Sequence, residues 1–134
     1  MNKLLSPQPI WQHNGIAIIR IVVGIFMLYH GWEVFSAEKM KVYFEWEPFK
    51  GSAWLPYVGK ATEFVAGLLL ALGLFTRIGA LLMIGTLAYI AFFVGHGKVW
   101  YDDQHPFLFV LLGLVFVFTG PGGFALDNFI FRKK

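Results

Sequence analysis

Long apolar runs separated by short polar or Gly/Pro-rich breaks set the rhythm of this chain. A helix needs about 20 mainly apolar residues to span a bilayer. Four runs approach that length, at about Gly15–Phe35, Trp54–Phe75, Ile78–Gly95 and Gln104–Thr119. Thr76-Arg77 separates the second run from the third, and Gly120-Pro121-Gly122-Gly123 ends the fourth, which is the shortest. Beyond that stop, the apolar rhythm from Phe124 to Phe131 predicts a short amphipathic segment at the interface. Between the first two runs, Ser36 to Ala53 interleaves Glu38, Lys39, Lys41, Glu45, Glu47 and Lys50 with Tyr43, Phe44, Trp46 and Phe49. This connection reads either as a partly helical segment over one mouth of a bundle or as a plain interfacial linker. The expected fold is all-α: one integral membrane domain over residues 1–134, a four-helix bundle with an interfacial aromatic loop segment and a short C-terminal amphipathic segment.

Composition strengthens that reading and removes several chemistries. The chain is 57% hydrophobic and 14% charged, against about 25% charged in soluble domains. Its 15 Phe and 5 Trp are more aromatic surface than a small soluble core can hide, and they suit lipid-facing and interfacial positions. With no cysteine, the chain alone has no disulfide exchange, thiolate nucleophile, iron–sulfur ligation or cysteine-bound zinc. Any redox role therefore requires a bound cofactor or a partner. The first apolar run is longer than a signal h-region and is followed by no small-x-small cleavage site, so the first helix is expected to stay in the mature protein.

The net charge of +3 is dispersed, which argues against nucleic acid as a partner. Lys3, Arg77, Arg132, Lys133 and Lys134 fall on the side of the two termini. Lys39, Lys41, Lys50 and Lys98 fall opposite, among Glu38, Glu45, Glu47, Asp102 and Asp103. By the positive-inside rule both termini are expected in the cytoplasm, with the chain in the inner (plasma) membrane.

Ionisable groups at membrane depth cost roughly 2.5 to 3.5 kcal/mol each on insertion scales, so each one calls for a partner or a wet cavity. His30 and Glu33 are three apart on the first helix, and Lys60 and Glu63 repeat the spacing on the second. Such pairs share one helix face. If the two helices are antiparallel neighbours, both pairs fall toward the same side of the bilayer, together with His96 and His105. A polar pocket roofed by the Ser36–Ala53 connection is the functional reading; interfacial histidines and a snorkelling Lys60 are the structural one. Arg20 is ten residues before His30, about 15 Å deeper at 1.5 Å per residue. It either snorkels to the headgroups or faces the bundle, where it would need a carboxylate or an anionic or carbonyl-bearing ligand. No short ligand motif such as H-x-x-x-H supports a metal site.

Arg20-x-x-x-Gly24, His30-Gly31, Glu63-x-x-x-Gly67, Leu72-Gly73-Leu74-Phe75-Thr76-Arg77 and Gly120-Pro121-Gly122 with Leu126-Asp127 together resemble the DoxX family of small four-helix membrane proteins. The resemblance singles out Arg20, His30, Glu63 and Asp127. Two departures accompany it. No Lys follows the His-Gly pair closely, and the last helix opens on Asp103-Gln104-His105 where the family often has Glu. The family is similar to subunits of a thiosulfate:quinone oxidoreductase, to members of membrane-associated thiol-oxidative stress complexes and, distantly, to receptor assembly factors.

The resemblance and the polar residues together point to a small membrane subunit that binds a quinone or lipid within an oxidoreductase system, an accessory subunit rather than an autonomous enzyme. Its ligand-binding candidates are Arg20, His30, Glu33, Lys60, Glu63, His96 and His105, with Glu63 as the candidate proton-exchanging acid/base and no metal. The expected partners are the bilayer, a membrane or soluble redox protein and further copies of the chain. The alternatives are a non-catalytic scaffold or assembly factor, and an oligomeric proton-coupled transporter.

Overall fold

The computed structural model describes residues 3–44, 54–94, 97–98, 100–101 and 104–130, all-α with no strand among them. After a 3-10 turn at Lys3–Leu5 come α1 (Gln12–Gly31), a 3-10 turn at Trp32–Phe35, α2 (Ala37–Phe44), α3 (Trp54–Leu72) and α4 (Thr76–Tyr89). A π-turn at Ile90–Val94 prolongs α4, followed by α5 (Gln104–Thr119) and α6 (Leu126–Ile130). The Gln12–Phe35 and Thr76–Phe93 stretches are long and apolar enough to cross a membrane; Gln104–Thr119 is apolar but shorter.

The long helices pack in chain order, α1 on α3, α3 on α4 and α4 on α5, with α1 only grazing α5. Small residues set the α1–α3 approach. A Cβ on Gly31 would strike the Phe64 backbone, one on Gly67 the Leu28 amide, and one on Gly24 the Ala71 backbone. Numbers rise along one helix as they fall along the other, so the pair is antiparallel, with the backbones in the contact that small residues permit. Met27, Leu70, Met83 and Phe116 fill the centre. Ile18, Ile25, Phe26, Leu68, Ile78, Leu81, Leu111 and Phe118 are exposed on the outer faces of the long helices, the kind of apolar surface that suits contact with a membrane.

The break between α3 and α4 falls slightly earlier than the sequence suggests. Gly73, at φ 68°, ends α3: the Leu74 amide donates to Leu69 O at 3.0 Å and the Gly73 amide to Leu70 O at 3.2 Å. This is a Schellman turn, which uses glycine to reach the left-handed region. Helix α4 then begins at Thr76, because Asp127 from α6 accepts the Phe75 and Thr76 amides, the latter at 2.8 Å. Of the aromatic connection, Ala37–Phe44 is helical, capped by Ser36, whose Oγ accepts the Lys39 amide at 3.4 Å, and Met40 is buried. Residues 45–53 lie outside the described residues.

Candidate functional site

The α1–α3 register that the glycines impose also decides which polar groups meet. Gly31 opposite Phe64 brings the last turn of α1 and its 3-10 continuation beside the first half of α3. Lys60 Nζ consequently lies 3.2 Å from Glu63 Oε2 on its own helix and 3.4 Å from Glu33 Oε2 on the neighbouring element. One ammonium thus serves two carboxylates, and Glu63 is 3% exposed. The His30 ring lies within electrostatic reach of Lys60, Glu33 and His105 and meets Tyr29 edge-on at 5.8 Å.

These groups border a cavity of about 630 Å³. His30, Lys60, Glu63 and His105 form its polar part, whereas Met27, Leu82, Leu87 and Phe109 supply apolar wall. Its size falls within the roughly 300–1,000 Å³ of small-molecule sites, which are mainly apolar with a few convergent polar groups. Four helices bring polar side chains to it: α1, α3 and α5 with the titratable groups, and α4 with Thr86 and Tyr89. Glu33 joins through Lys60, and His96 lies outside the described residues. Among the described residues no group of three or more metal-ligating side chains comes together.

Arg20 is placed elsewhere. It is fully buried near the middle of α1, ten residues before His30, and its guanidinium is committed to backbone carbonyls. Nε donates to Leu70 O at 2.9 Å, Nη1 to Pro121 O and to Gly123 O at 3.0 Å, and Nη2 to Phe124 O at 2.9 Å. The planar fork, with its five donors, thereby ties α3 to the Gly-Pro-Gly-Gly turn. The candidate residues therefore divide: His30, Glu33, Lys60, Glu63 and His105 converge, and Arg20 does not join them.

The sequence does not reveal the clasp of Arg20 on the C-terminal turn, nor the cap that Asp127 places on α4. One signal was available, since a Gly-Pro-Gly-Gly stop at a helix end leaves carbonyls that need donors from somewhere in the chain. A more open hollow of about 790 Å³ adjoins this clasp, lined in part by His13, Thr76, Arg77 and Asp127. Its charged groups already have structural work: Asp127 caps α4, and Arg77 Nε donates to Val117 O at 2.8 Å. The cavity beside Glu63 is the better candidate site.

Comparison with known proteins identifies the family of the chain. A Haemophilus influenzae (strain Rd) protein described as "Uncharacterized protein" is 33% identical, the match covering 99% of this chain and 100% of that protein. A Bacillus subtilis (strain 168) protein named "Putative oxidoreductase CatD" is 31% identical over 90% of each chain. No solved structure gives a significant match. The DoxX family model matches residues 15–96, a stretch that includes Arg20, His30, Glu33, Lys60 and Glu63. This chain belongs to the DoxX family, whose members are membrane-associated.

Proposed function

We propose that this protein is a four-helix bundle of the inner (plasma) membrane, with both termini in the cytoplasm, that binds a quinone beside Glu63 as the accessory subunit of an oxidoreductase system. The observation that carries the reading is a nearly buried, ion-paired carboxylate at the wall of an apolar cavity that two imidazoles also line. Ionisable groups kept at membrane depth are expensive and usually functional. The name of the Bacillus subtilis relative is in keeping with redox chemistry. A chain without cysteine has to borrow such chemistry from a bound group or a partner.

The donor set suits a quinone better than a phospholipid headgroup. A phosphate would meet two carboxylates that share a single ammonium, an unfavourable balance of charge. A neutral ring with carbonyl acceptors avoids that repulsion, and its apolar tail suits the remaining wall. Lys60, His30 and His105 are the groups that would hold carbonyl oxygens by hydrogen bonding. A bound quinone supplies reversible two-electron, two-proton chemistry. Glu63 and His30 can hold and exchange protons at their carboxylate and ring-nitrogen atoms.

The test is a thermal-shift titration of the protein in lipid nanodiscs with decylubiquinone. Wild type should be stabilised in a dose-dependent way, Glu63→Gln should lose the shift, and the exposed Glu38→Gln should keep it. A wild-type melting curve that decylubiquinone leaves unmoved overturns the proposal.

A further inference from the structure

The cavity beside Glu63 is lined by both α3 and α4, and the exposure of those lining residues bears on where it meets the surface. The two helices are tightly packed near their connecting turn, where a Cβ on Gly79 would meet Leu69 at 3.0 Å and Ala66 O at 3.4 Å. Toward the start of α3 and the end of α4 that packing gives way to the cavity. On α4 its margin is Leu81, Gly85 and Tyr89, a row at four-residue spacing; on α3 it is Val58 and Thr62 at the same spacing. Leu81, Tyr89 and Val58 are 56%, 38% and 51% exposed, so both rows stand on the outer surface of the helices. The opening therefore faces sideways.

Two glycines hold the opening clear. Gly59 and Gly85 both line the cavity, and among the described residues a Cβ added at either would meet no heavy atom within 4 Å. Most helical glycines here differ, since Gly24, Gly31, Gly67, Gly79 and Gly113 would each bring a Cβ onto a packed neighbour. A glycine in a helix interior costs about 1 kcal/mol relative to alanine. At the close-packed positions the approach of another helix explains it. At Gly59 and Gly85 no neighbour among the described residues requires it, and what the missing side chain leaves there is space beside the cavity. Gly85 is nine residues beyond Thr76, about 14 Å along α4, which puts it at bilayer depth and away from either surface.

We propose that Gly59 and Gly85 frame a lateral portal between α3 and α4 through which a membrane-dissolved amphiphile enters, its hydrogen-bonding head directed to Glu63 and its single slender tail left in the gap between the helices. The identity of the amphiphile as a quinone rests on the function proposed above; the location and direction of the portal do not. Access from the bilayer favours ligands that partition into lipid and excludes polar solutes, and the width of the gap makes residues 59 and 85 determinants of ligand size.

Two measurements test this. The chain has no cysteine, so Gly85→Cys introduces a sole thiol that can carry a bimane fluorophore in nanodiscs. Doxyl-labelled lipid should quench it strongly and aqueous iodide weakly; strong iodide quenching overturns the portal whether or not any quinone binds. In the second measurement, Gly85→Trp and Gly59→Leu should each weaken decylubiquinone binding more than fivefold, with unliganded melting temperature and helical circular dichroism unchanged. Gly15→Trp, on α1 and also facing open space, should bind as wild type does. Binding by both portal variants within fivefold of wild type overturns the proposal. Absence of binding by wild type counts against the quinone and leaves the quenching result to decide the portal.

Discussion

Lys60 stands between Glu63, at 3.2 Å on its own helix, and Glu33, at 3.4 Å across the α1–α3 contact. Such an arrangement does little for net stability while intact, since the desolvation of three charges offsets much of their attraction. Its importance appears when one member is removed.

Lys60→Met should destabilise the protein by about 3 kcal/mol, the lower end of the cost of orphaning a buried charge, because Glu63 at 3% exposure then has neither water nor its cation. Adding Glu63→Gln should recover more than half of the loss. Thermal or denaturant unfolding in detergent measures both, and the double-mutant cycle isolates the coupling. Additive losses would show that the pair is not coupled.

Arg20→Ala removes four hydrogen bonds from a cation to backbone carbonyls; the Pro121, Gly123 and Phe124 carbonyls lose the guanidinium donor, while Leu70 O keeps the Gly73 amide. Hydrogen bonds to a charged group contribute about 1.5–3 kcal/mol each, so a loss above about 3 kcal/mol is expected. Arg20→Lys should rescue little of it, because an ammonium cannot reproduce the fork. Proteolysis should then cut around residues 121–130 in the variant before wild type is touched. Resistance equal to wild type would deny Arg20 this role.

Asp127→Ala should cost about 0.5–2 kcal/mol, the usual range for a lost N-cap, since the Phe75 and Thr76 amides lose their acceptor. Asp127→Asn should retain part of the effect through its carbonyl oxygen. Hydrogen exchange at Phe75 and Thr76 gives the local readout: faster exchange in Asp127→Ala with unchanged protection at Leu70 is expected.

The residue pattern determined by itself that the chain is all-α, that its long elements are apolar, that a tight break separates the second run from the third, where the Gly-Pro-Gly-Gly stretch ends the fourth, and that polar groups recur at helical spacing on α1 and α3. These are local matters of period, propensity and turn chemistry, readable within a window of a few residues. That the break falls at Gly73 and not at Thr76-Arg77 came from the structure. Which polar groups would converge was partly readable too. Antiparallel neighbours with equally spaced pairs put His30, Glu33, Lys60 and Glu63 at one level, and the α1–α3 glycines are the residues that permit that register.

The destination of Arg20 was decided only in three dimensions. Its partners are 50 residues or more away in sequence, at Leu70 and on the C-terminal turn, and no local pattern distinguishes a snorkelling arginine from one that clasps a distant loop. The cap of α4 by Asp127, 51 residues from Thr76, was hidden for the same reason. The cavity beside Glu63 likewise exists only in three dimensions, since its lining comes from α1, α3, α4 and α5 together and no one helix encodes it alone.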